Sequence, residues 1–328
     1  MKILVTGGLG FIGSNFILKT LKKNPKIKIT NVDAELSGSN HKSLESLKNN
    51  LNYNFVKGNI TNKPMMEKLI DNSDVVINFA AESFVDKSIL DANSFLVSNI
   101  RGTYTILDII KNQKKKLIHI STDEVFGSLE NEDADESYKF NPSNPYAATK
   151  ASAELIINSY NVTYDTDCII TRCTNNYGPM QFPEKFIPKI ILLASQQKKI
   201  PVYGNGKNMR DWIFVEDHCE AILKILDKGK SQQSYNISAH NNISNIEIVK
   251  KILAIMNYSN DLIEFVDDRP GHDLRYGLNS SKIRNELKWS ESVNFEDGLK
   301  ETIDWYMNNT AWWDDIQSNA FISTPWKN

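Results

Sequence analysis

Cysteine is scarce, with three in 328 residues, too few for a disulfide framework. Cys168 and Cys173 lie an odd number of positions apart in an apparent strand, so they are expected to face opposite sides of a sheet. The five histidines are scattered, and no His or Cys pair has the spacing of metal ligands, so no metal is expected. Charge of one sign is also missing: 38 Lys and Arg against 40 Asp and Glu leave a formal net charge of -2. Such a balance gives no bulk field toward nucleic acid or an anionic membrane, and a small-molecule partner is expected instead. The densest basic run, Lys111 to Lys116, lacks interleaved aromatics and reads as the solvated end of a helix whose cations meet carbonyl groups. Long hydrophobic runs are absent. The apolar start, Met1 to Val5, is too short for a signal segment, and no later stretch reaches membrane-spanning length. These absences lead to the expectation of a soluble protein in a reducing compartment, the cytoplasm. Internal repeats and low-complexity segments are lacking too.

What is present is an alternation. Short Val- and Ile-rich runs at Ile3 to Thr6, Ile27 to Asp33, Tyr53 to Val56, Val75 to Ala81, Leu117 to Ser121 and Cys168 to Arg172 are separated by longer segments of helical periodicity. Most runs are nearly continuously apolar, as strands buried on both faces require, although Lys28 and Thr30 break the second. The expected class is α/β, a doubly wound parallel sheet. Helix starts are marked at Asn62-Lys63-Pro64 and Ser143-Asn144-Pro145, each a capping residue with proline in or near the first turn. Beyond residue 178 the order changes, with Pro179, Pro183, Pro188 and Pro201 breaking the chain. A division follows: residues 1–178 as a nucleotide-binding domain, and 179–328 as a smaller α/β substrate lobe. Segments near 211–240 are expected to return to the first sheet, through strands at Trp212 to Val215 and Tyr235 to Ala239.

The first strand runs directly into Gly7-Gly8-Leu9-Gly10-Phe11-Ile12-Gly13 and a helix. Glycines at 7, 10 and 13 permit a tight turn, close backbone approach to a pyrophosphate and close helix packing, with the helix amides facing the phosphates. Asp33 ends the second strand about twenty residues later, where a carboxylate can hold the adenosine ribose hydroxyls. Its charge would repel a ribose phosphate and no Arg follows closely, so NAD is expected rather than NADP. Asn59 and Ala80-Ala81, beyond the ends of the third and fourth strands, are placed to line the same crevice.

Tyr146 and Lys150 stand one helical turn apart and project from one face of the helix after Pro145. A nearby ammonium favours the tyrosinate, so the lysine is expected to make the phenol usable as a base. By itself the pair is uninformative, since a packed Tyr beside a solvated Lys arises by chance. Its context is Ser121-Thr122-Asp123-Glu124 at the carboxyl end of the fifth strand, where burial disfavours two adjacent carboxylates unless they have a task. Alcohol oxidation needs one base and one hydride acceptor, whereas eliminating water also needs an acid and a second base.

Taken together, these motifs resemble the extended short-chain dehydrogenase/reductase superfamily and, within it, the dTDP-glucose 4,6-dehydratases, from Met1 to about Tyr306. The glycine turn, Ala80-Ala81-Glu82-Ser83, Ser121 to Gly127, Asn144 to Lys150, Arg172 to Pro179, Phe182 to Pro188, Tyr203 to His218 and Arg269 to Tyr276 carry the likeness. The resemblance implies a Rossmann-type domain, NAD as a bound catalyst and dTDP-glucose as substrate. It implies that Tyr146 takes the O4 proton with Thr122 on the same oxygen, and that hydride passes from C4 to NAD. Glu124 then removes the C5 proton, Asp123 protonates the departing C6 hydroxyl, and hydride returns to C6. The cofactor candidates are Gly7, Gly10, Phe11, Ile12, Gly13, Asp33, Asn59, Ile60, Ala80, Ala81, Ser83, Ser98, Tyr146, Lys150 and Asn176. Those for the substrate are Ser83, Thr122, Asn175, Lys185, Pro188, Pro201, Tyr203, Arg210, Asn245, Arg269 and His272, with Arg210 on the pyrophosphate. Taken singly, Arg210 could be a surface ion pair, His272 a satisfied histidine and Asn245 a helix cap. Three places depart from the pattern: Phe84 stands where many members have His, Asn59 replaces the usual Asp, and Ala34 to Ser37 differ from the common run.

Three competing readings remain at this stage. A UDP-hexose 4-epimerase shares Tyr146 and Lys150 but has no need of an acid and base at 123 and 124. The same dehydration of UDP-glucose differs by one methyl on the base, and an NAD-sensing binding protein needs none of the chemical set. The resemblance also implies a homodimer, pairing the Tyr146 helix and its neighbour from about Asn93 to Lys111 across a two-fold axis, with Ala147, Ala148, Ala151 and Ala153 permitting close approach. The tail from Ala311 to Asn328, with Trp312, Trp313 and Trp326, reads as packing and is given no role.

Overall fold

The computed structural model describes residues 1–316, 321 and 326. Its strands are β1 (Lys2–Thr6), β2 (Lys28–Asp33), β3 (Tyr53–Lys57), β4 (Val75–Asn78), β5 (Lys116–Thr122), β6 (Cys168–Cys173), β7 (Asn175–Tyr177), β8 (Ile200–Tyr203), β9 (Met209–Phe214), β10 (Ser234–Ile237), β11 (Asn242–Ser244) and β12 (Ile263–Val266). Seven of them form one parallel sheet in the order β10-β6-β5-β4-β1-β2-β3. The order reverses between β1 and β4, the switch point outside which ligands of such sheets bind.

Alternate residues feed the two faces of the sheet, which together make the first core, and this is why the strands read as continuous apolar runs. Leu4, Val76, Leu117 and Ile170 pack with Ile106 and Ile157 from helices on one face. Ile3, Val5, Ile77, Ile118 and Ile120 pack with Phe16 and Ile222 on the other. Cys168 packs on the Leu4 face and Cys173 on the Ile3 face, and all three cysteines are free. β3 is half exposed because it is the sheet edge.

A separate core gathers Ile187, Ile191, Val202, Trp212, Ile248, Ile252, Leu299 and Ile303. It joins the helices Phe186–Ser195, Asn245–Ile255 and Phe295–Asn308 to β8 and β9. β10 is the returning strand, laid parallel on β6. The strand expected at Trp212 to Val215 does not return to the large sheet. It runs over Met209–Phe214, pairs with β7 and β11, and gives way at Val215 to a helix. Trp212 and Phe214 are thereby spent on the second core, which explains the misplacement. β4 also ends earlier than expected, at Asn78, leaving Ala80 and Ala81 in the loop beyond it.

Of the basic run, Lys111 pairs with Asp108 at 2.5 Å and Lys115 donates to the Ser73 carbonyl at 2.6 Å. Trp312 and Trp313 are buried in the second core and Trp326 is buried against the Tyr203 ring. The rest of the tail reading, 317–320, 322–325 and 327–328, lies outside the described residues. Among the described residues no helix is long and apolar enough to cross a membrane, and no cluster of potential ligands could hold a metal ion.

Candidate active site

A cleft of about 460 Å³ opens at the carboxyl ends of β1, β4 and β5 and continues between the two cores. At one end, the helix Phe11–Lys23 begins at Gly10 with no capping side chain, so its first amides remain available to an anion. Gly7 has φ +70°, and a Cβ there would lie 2.6 Å from the Ala80 nitrogen. A Cβ on Gly13 would meet the Gly7 carbonyl oxygen at 2.5 Å. This cradle fits a dinucleotide's pyrophosphate.

Asp33 accepts from the amides of Leu9 (3.0 Å) and Glu35 (2.8 Å) and from Ser39 Oγ (2.8 Å). A carboxylate has about four acceptor positions, so one is left toward the ribose. Asn59 is turned to its own loop, with Oδ1 taking the Thr61 amide and hydroxyl. It lines the cleft with Ile60, Ala80, Ala81, Ser83 and Ser98.

Further along, the helix Pro145–Tyr164 is capped by Asn144 and brings Tyr146 and Lys150 into the cleft. Lys150 Nζ donates to the Ile120 carbonyl at 2.6 Å and lies 3.3 Å from His119 Nε2. His119 meets Asn78, and Asn78 meets Thr6, across three strands in register. Burial depresses the Lys150 ammonium to about 8. The expectation that Lys150 brings the phenol down is not met. Burial, followed by the charge of Glu124, raises Tyr146 well above its ordinary value, while the adjacent Thr122 hydroxyl acts the other way without offsetting it.

Thr122 also organises the two carboxylates. Its Oγ1 accepts the Glu124 amide (3.3 Å) and donates to Asp123 Oδ1 (3.1 Å). Asp123 is 3% exposed, and its Oδ2 is buried without a partner. Burial, reinforced by the neighbouring Glu124 charge, pushes its carboxyl up to about 8. Asp123 therefore holds a proton at neutral pH, as a general acid must. Glu124 Oε2 faces Asn144 Nδ2 (3.2 Å) and the Tyr276 hydroxyl (3.3 Å).

The remaining candidates line the cleft with one exception. Pro188 is buried in the helix Phe186–Ser195, whose Phe186 and Lys189, one turn apart, face the cleft instead. Arg210 is no surface ion pair. It is 5% exposed, its Nη1 and Nη2 donate to the carbonyls of Met209 (2.7 Å) and Asp273 (3.0 Å), and it lies 4.3 Å over the Tyr276 ring. Among the described residues no carboxylate forms a salt bridge with it, so a buried positive charge stands ready for an anionic ligand.

Arg269 is neutralised by Asp86 at 2.8 Å, and Asp86 also takes the Tyr203 hydroxyl. His272 contacts Asp268 at 2.6 Å, while burial, with Arg269 and Arg210 nearby, brings it down to about 4. Asn245 does not cap its helix; Ser244 does, in a capping box with Glu247. Asn175 keeps Oδ1 buried and unpartnered beside the cleft. Asn176 spends its side chain on the Thr174 carbonyl and on His218 (2.8 Å). Lys185 donates to the Ser83 carbonyl at 2.8 Å and, with Lys87, flanks the Phe84 ring at 5.1 and 5.2 Å. The sequence reading missed Tyr276 and Asp86. Tyr276 was within reach, since it ends the Arg269 to Tyr276 segment.

A family model described as GDP-mannose 4,6 dehydratase matches residues 4–302. The dTDP-glucose 4,6-dehydratase of Streptomyces niveus is 40% identical over 323 residues, covering 97% of this chain and 96% of that one. The Escherichia coli protein of that name is 39% identical, with 98% of each chain covered. The Bacillus anthracis dTDP-glucose 4,6-dehydratase, solved in complex with NAD, superposes with a TM-score of 0.90 at 43% identity over 97% of this chain and all of its own. A Bacillus cereus UDP-glucuronic acid 4-epimerase superposes at 0.89 with 28% identity, covering 94% of this chain and 99% of its own. Family model, relatives and cleft agree, and the chain belongs to the dTDP-glucose 4,6-dehydratase family.

Proposed function

We propose that the protein converts dTDP-glucose to dTDP-4-dehydro-6-deoxy-glucose, as a hydro-lyase of deoxysugar biosynthesis, with NAD returned unchanged. The observation that carries this reading is the buried Asp123 carboxyl, one oxygen of which has no partner, beside Glu124 in the cleft that also holds Tyr146 and Lys150. NAD, when bound, supplies the redox chemistry by accepting and returning a hydride, and its oxidised ring adds a positive charge on the cofactor side of the cleft. Gly7, Gly10 and Gly13 hold its pyrophosphate and Asp33 its ribose.

Tyr146 exchanges a proton with O4 while the Thr122 hydroxyl, which favours the phenolate against burial, hydrogen-bonds that oxygen, and Lys150, held at the Ile120 carbonyl, lines the same cleft. Oxidation at C4 acidifies C5, whose proton Glu124 takes, and Asp123 protonates O6 so that water leaves. Arg210 neutralises the substrate pyrophosphate, with Asn175, Lys185, Pro201, Tyr203, Asn245, Arg269 and His272 framing the rest. In this division of labour residues 1–178 and β10 serve the cofactor, and residues from 179 onward serve the nucleotide.

A homodimer is part of the proposal, in the cytoplasm, where three free thiols persist. Leu155 (58% exposed) and Val162 (88%) are exposed on the Tyr146 helix, as are Leu96 and Tyr104 on the helical segment packed beside it. The alanines do not supply that surface. Ala147, Ala151 and Ala153 are buried within the chain, and Ala148 alone of the four is exposed.

Incubation with dTDP-glucose, UDP-glucose and CDP-glucose separately, with products identified by mass spectrometry and nuclear magnetic resonance, tests the proposal. Loss of water from dTDP-glucose supports it, and loss from none of the three refutes it. Thymine and uracil differ by one methyl, worth about 1 to 3 kcal/mol in an apolar pocket, so some turnover of UDP-glucose is expected.

A further inference from the structure

Asn144 is 6% exposed and sits in extended backbone one residue before the helix that carries Tyr146 and Lys150. Its Oδ1 accepts the Ala147 amide at 2.9 Å. A backbone N–H can only donate, so the polarity of the side-chain amide is settled, and the end facing Glu124 Oε2 at 3.2 Å is the Nδ2 donor. A helix cap alone requires no such donor, because Ser or Asp would satisfy the same amide.

The other group near that carboxylate oxygen is already committed. The Tyr276 hydroxyl lies 3.3 Å from Glu124 Oε2 but 2.5 Å from Asp273 Oδ2, and its single hydrogen belongs to the shorter contact. Among the described residues, Asn144 is thus the donor in place for Glu124. Lys185 and Arg210 both attract the Glu124 charge from the cleft side, so a carboxylate released from Asn144 has cations to swing toward.

We propose that Asn144 is a positioning residue for Glu124, tying the carboxylate that meets C5 to the first turn of the helix that carries Tyr146 and Lys150. The two bases serve adjacent carbons, C4 and C5, and one side chain fixes the spacing between them. Misplacement of either slows its step even when the rest of the fold is intact. The inference rests on the dehydratase reading for its kinetic consequence but not for its structural one.

The test compares full-length wild type, Asn144→Ser and Asn144→Ala, each with NAD and dTDP-glucose in D2O. Serine keeps the cap and removes the donor, whereas alanine removes both. For Asn144→Ser the expected result is an unchanged melting temperature and KM, C4 oxidation preserved as reduced-NAD absorbance in a single turnover, and deuterium entry at C5 slowed about tenfold. Asn144→Ala should show the same loss at C5 with a lower melting temperature. Unchanged entry at C5 in Asn144→Ser, or oxidation and exchange falling together, overturns the proposal. Crystal structures of wild type and Asn144→Ser supply a readout that needs no substrate: the Glu124 carboxylate should leave its wild-type place. An unmoved carboxylate overturns the proposal whatever the enzyme's substrate is.

Discussion

Thr122 donates its hydroxyl hydrogen to one oxygen of Asp123 and leaves the other buried without a partner. With its carboxyl pushed up to about 8, Asp123 is the acid form across neutral pH and loses its proton as pH rises through about 8. Water elimination should decline over that window while C4 oxidation does not follow the same limb. Asp123→Asn should lower water loss by about 10²-fold and leave C5 exchange in place. Rates of each step measured against pH check both outcomes, and a wild-type elimination rate that is flat from neutral pH to well above 8 contradicts them.

The same proton affects stability. The folded level, about 8, exceeds the unfolded level, roughly 3.9, so between those values the folded chain keeps a proton that the unfolded chain releases. Stability from this residue therefore falls as pH rises from about 4 to about 8 and levels off beyond. Asp123→Asn should melt at a higher temperature than wild type at pH 8 and show little difference at pH 4, by scanning calorimetry. A lower melting temperature at pH 8 counts against a neutral Asp123 in the fold.

For Glu124→Gln, C4 oxidation should persist while deuterium exchange at C5 collapses by at least about 10²-fold. Exchange as fast as in wild type removes Glu124 from the role of base.

Gly13→Ala places a methyl 2.5 Å from the Gly7 oxygen and 2.9 Å from the Gly8 Cα, both backbone atoms. Overpacking of this kind costs about 1 to 3 kcal/mol, and the turn can relieve it only by opening the cradle. NAD affinity, followed by tryptophan fluorescence, should fall at least about tenfold. Wild-type affinity would show that the turn does not set the pyrophosphate site.

Val162→Glu puts a charge on a side chain that is 88% exposed in the single chain. In the proposed dimer that position is covered and the charge is desolvated. Light scattering should report wild type as a dimer and the variant as a monomer at micromolar concentration. Two dimers would move the interface elsewhere.

Much of the large sheet was legible because its physics is local: strands buried on both faces must be continuously apolar, and β1, β4, β5 and β6 read that way. The site's cofactor end was legible for the same reason, since glycine spacing and Asp33 are set within one βαβ unit. What failed depends on long-range packing. Trp212 and Phe214 look like any buried strand, and nothing nearby in the sequence tells that their partners are Asn175–Tyr177 rather than the large sheet. Pro188 stands in a matching segment, but which face of its helix meets the cleft depends on how the second core closes. The Tyr146 phenol was misjudged because spacing reveals the lysine one turn away but not the burial that outweighs it. Tyr276 and Asn144 gain their roles from Glu124, far away in sequence and visible only once the chain is folded.

The account's central claim is an internal redox dehydration in which what leaves C4 arrives at C6. dTDP-glucose carrying deuterium at C4 tests it most directly, with products analysed by nuclear magnetic resonance and mass spectrometry. The account predicts a product lighter by one water, with the deuterium on C6 and no net consumption of NAD. A product of unchanged mass inverted at C4, or a dehydrated product whose C6 carries no deuterium, would contradict it.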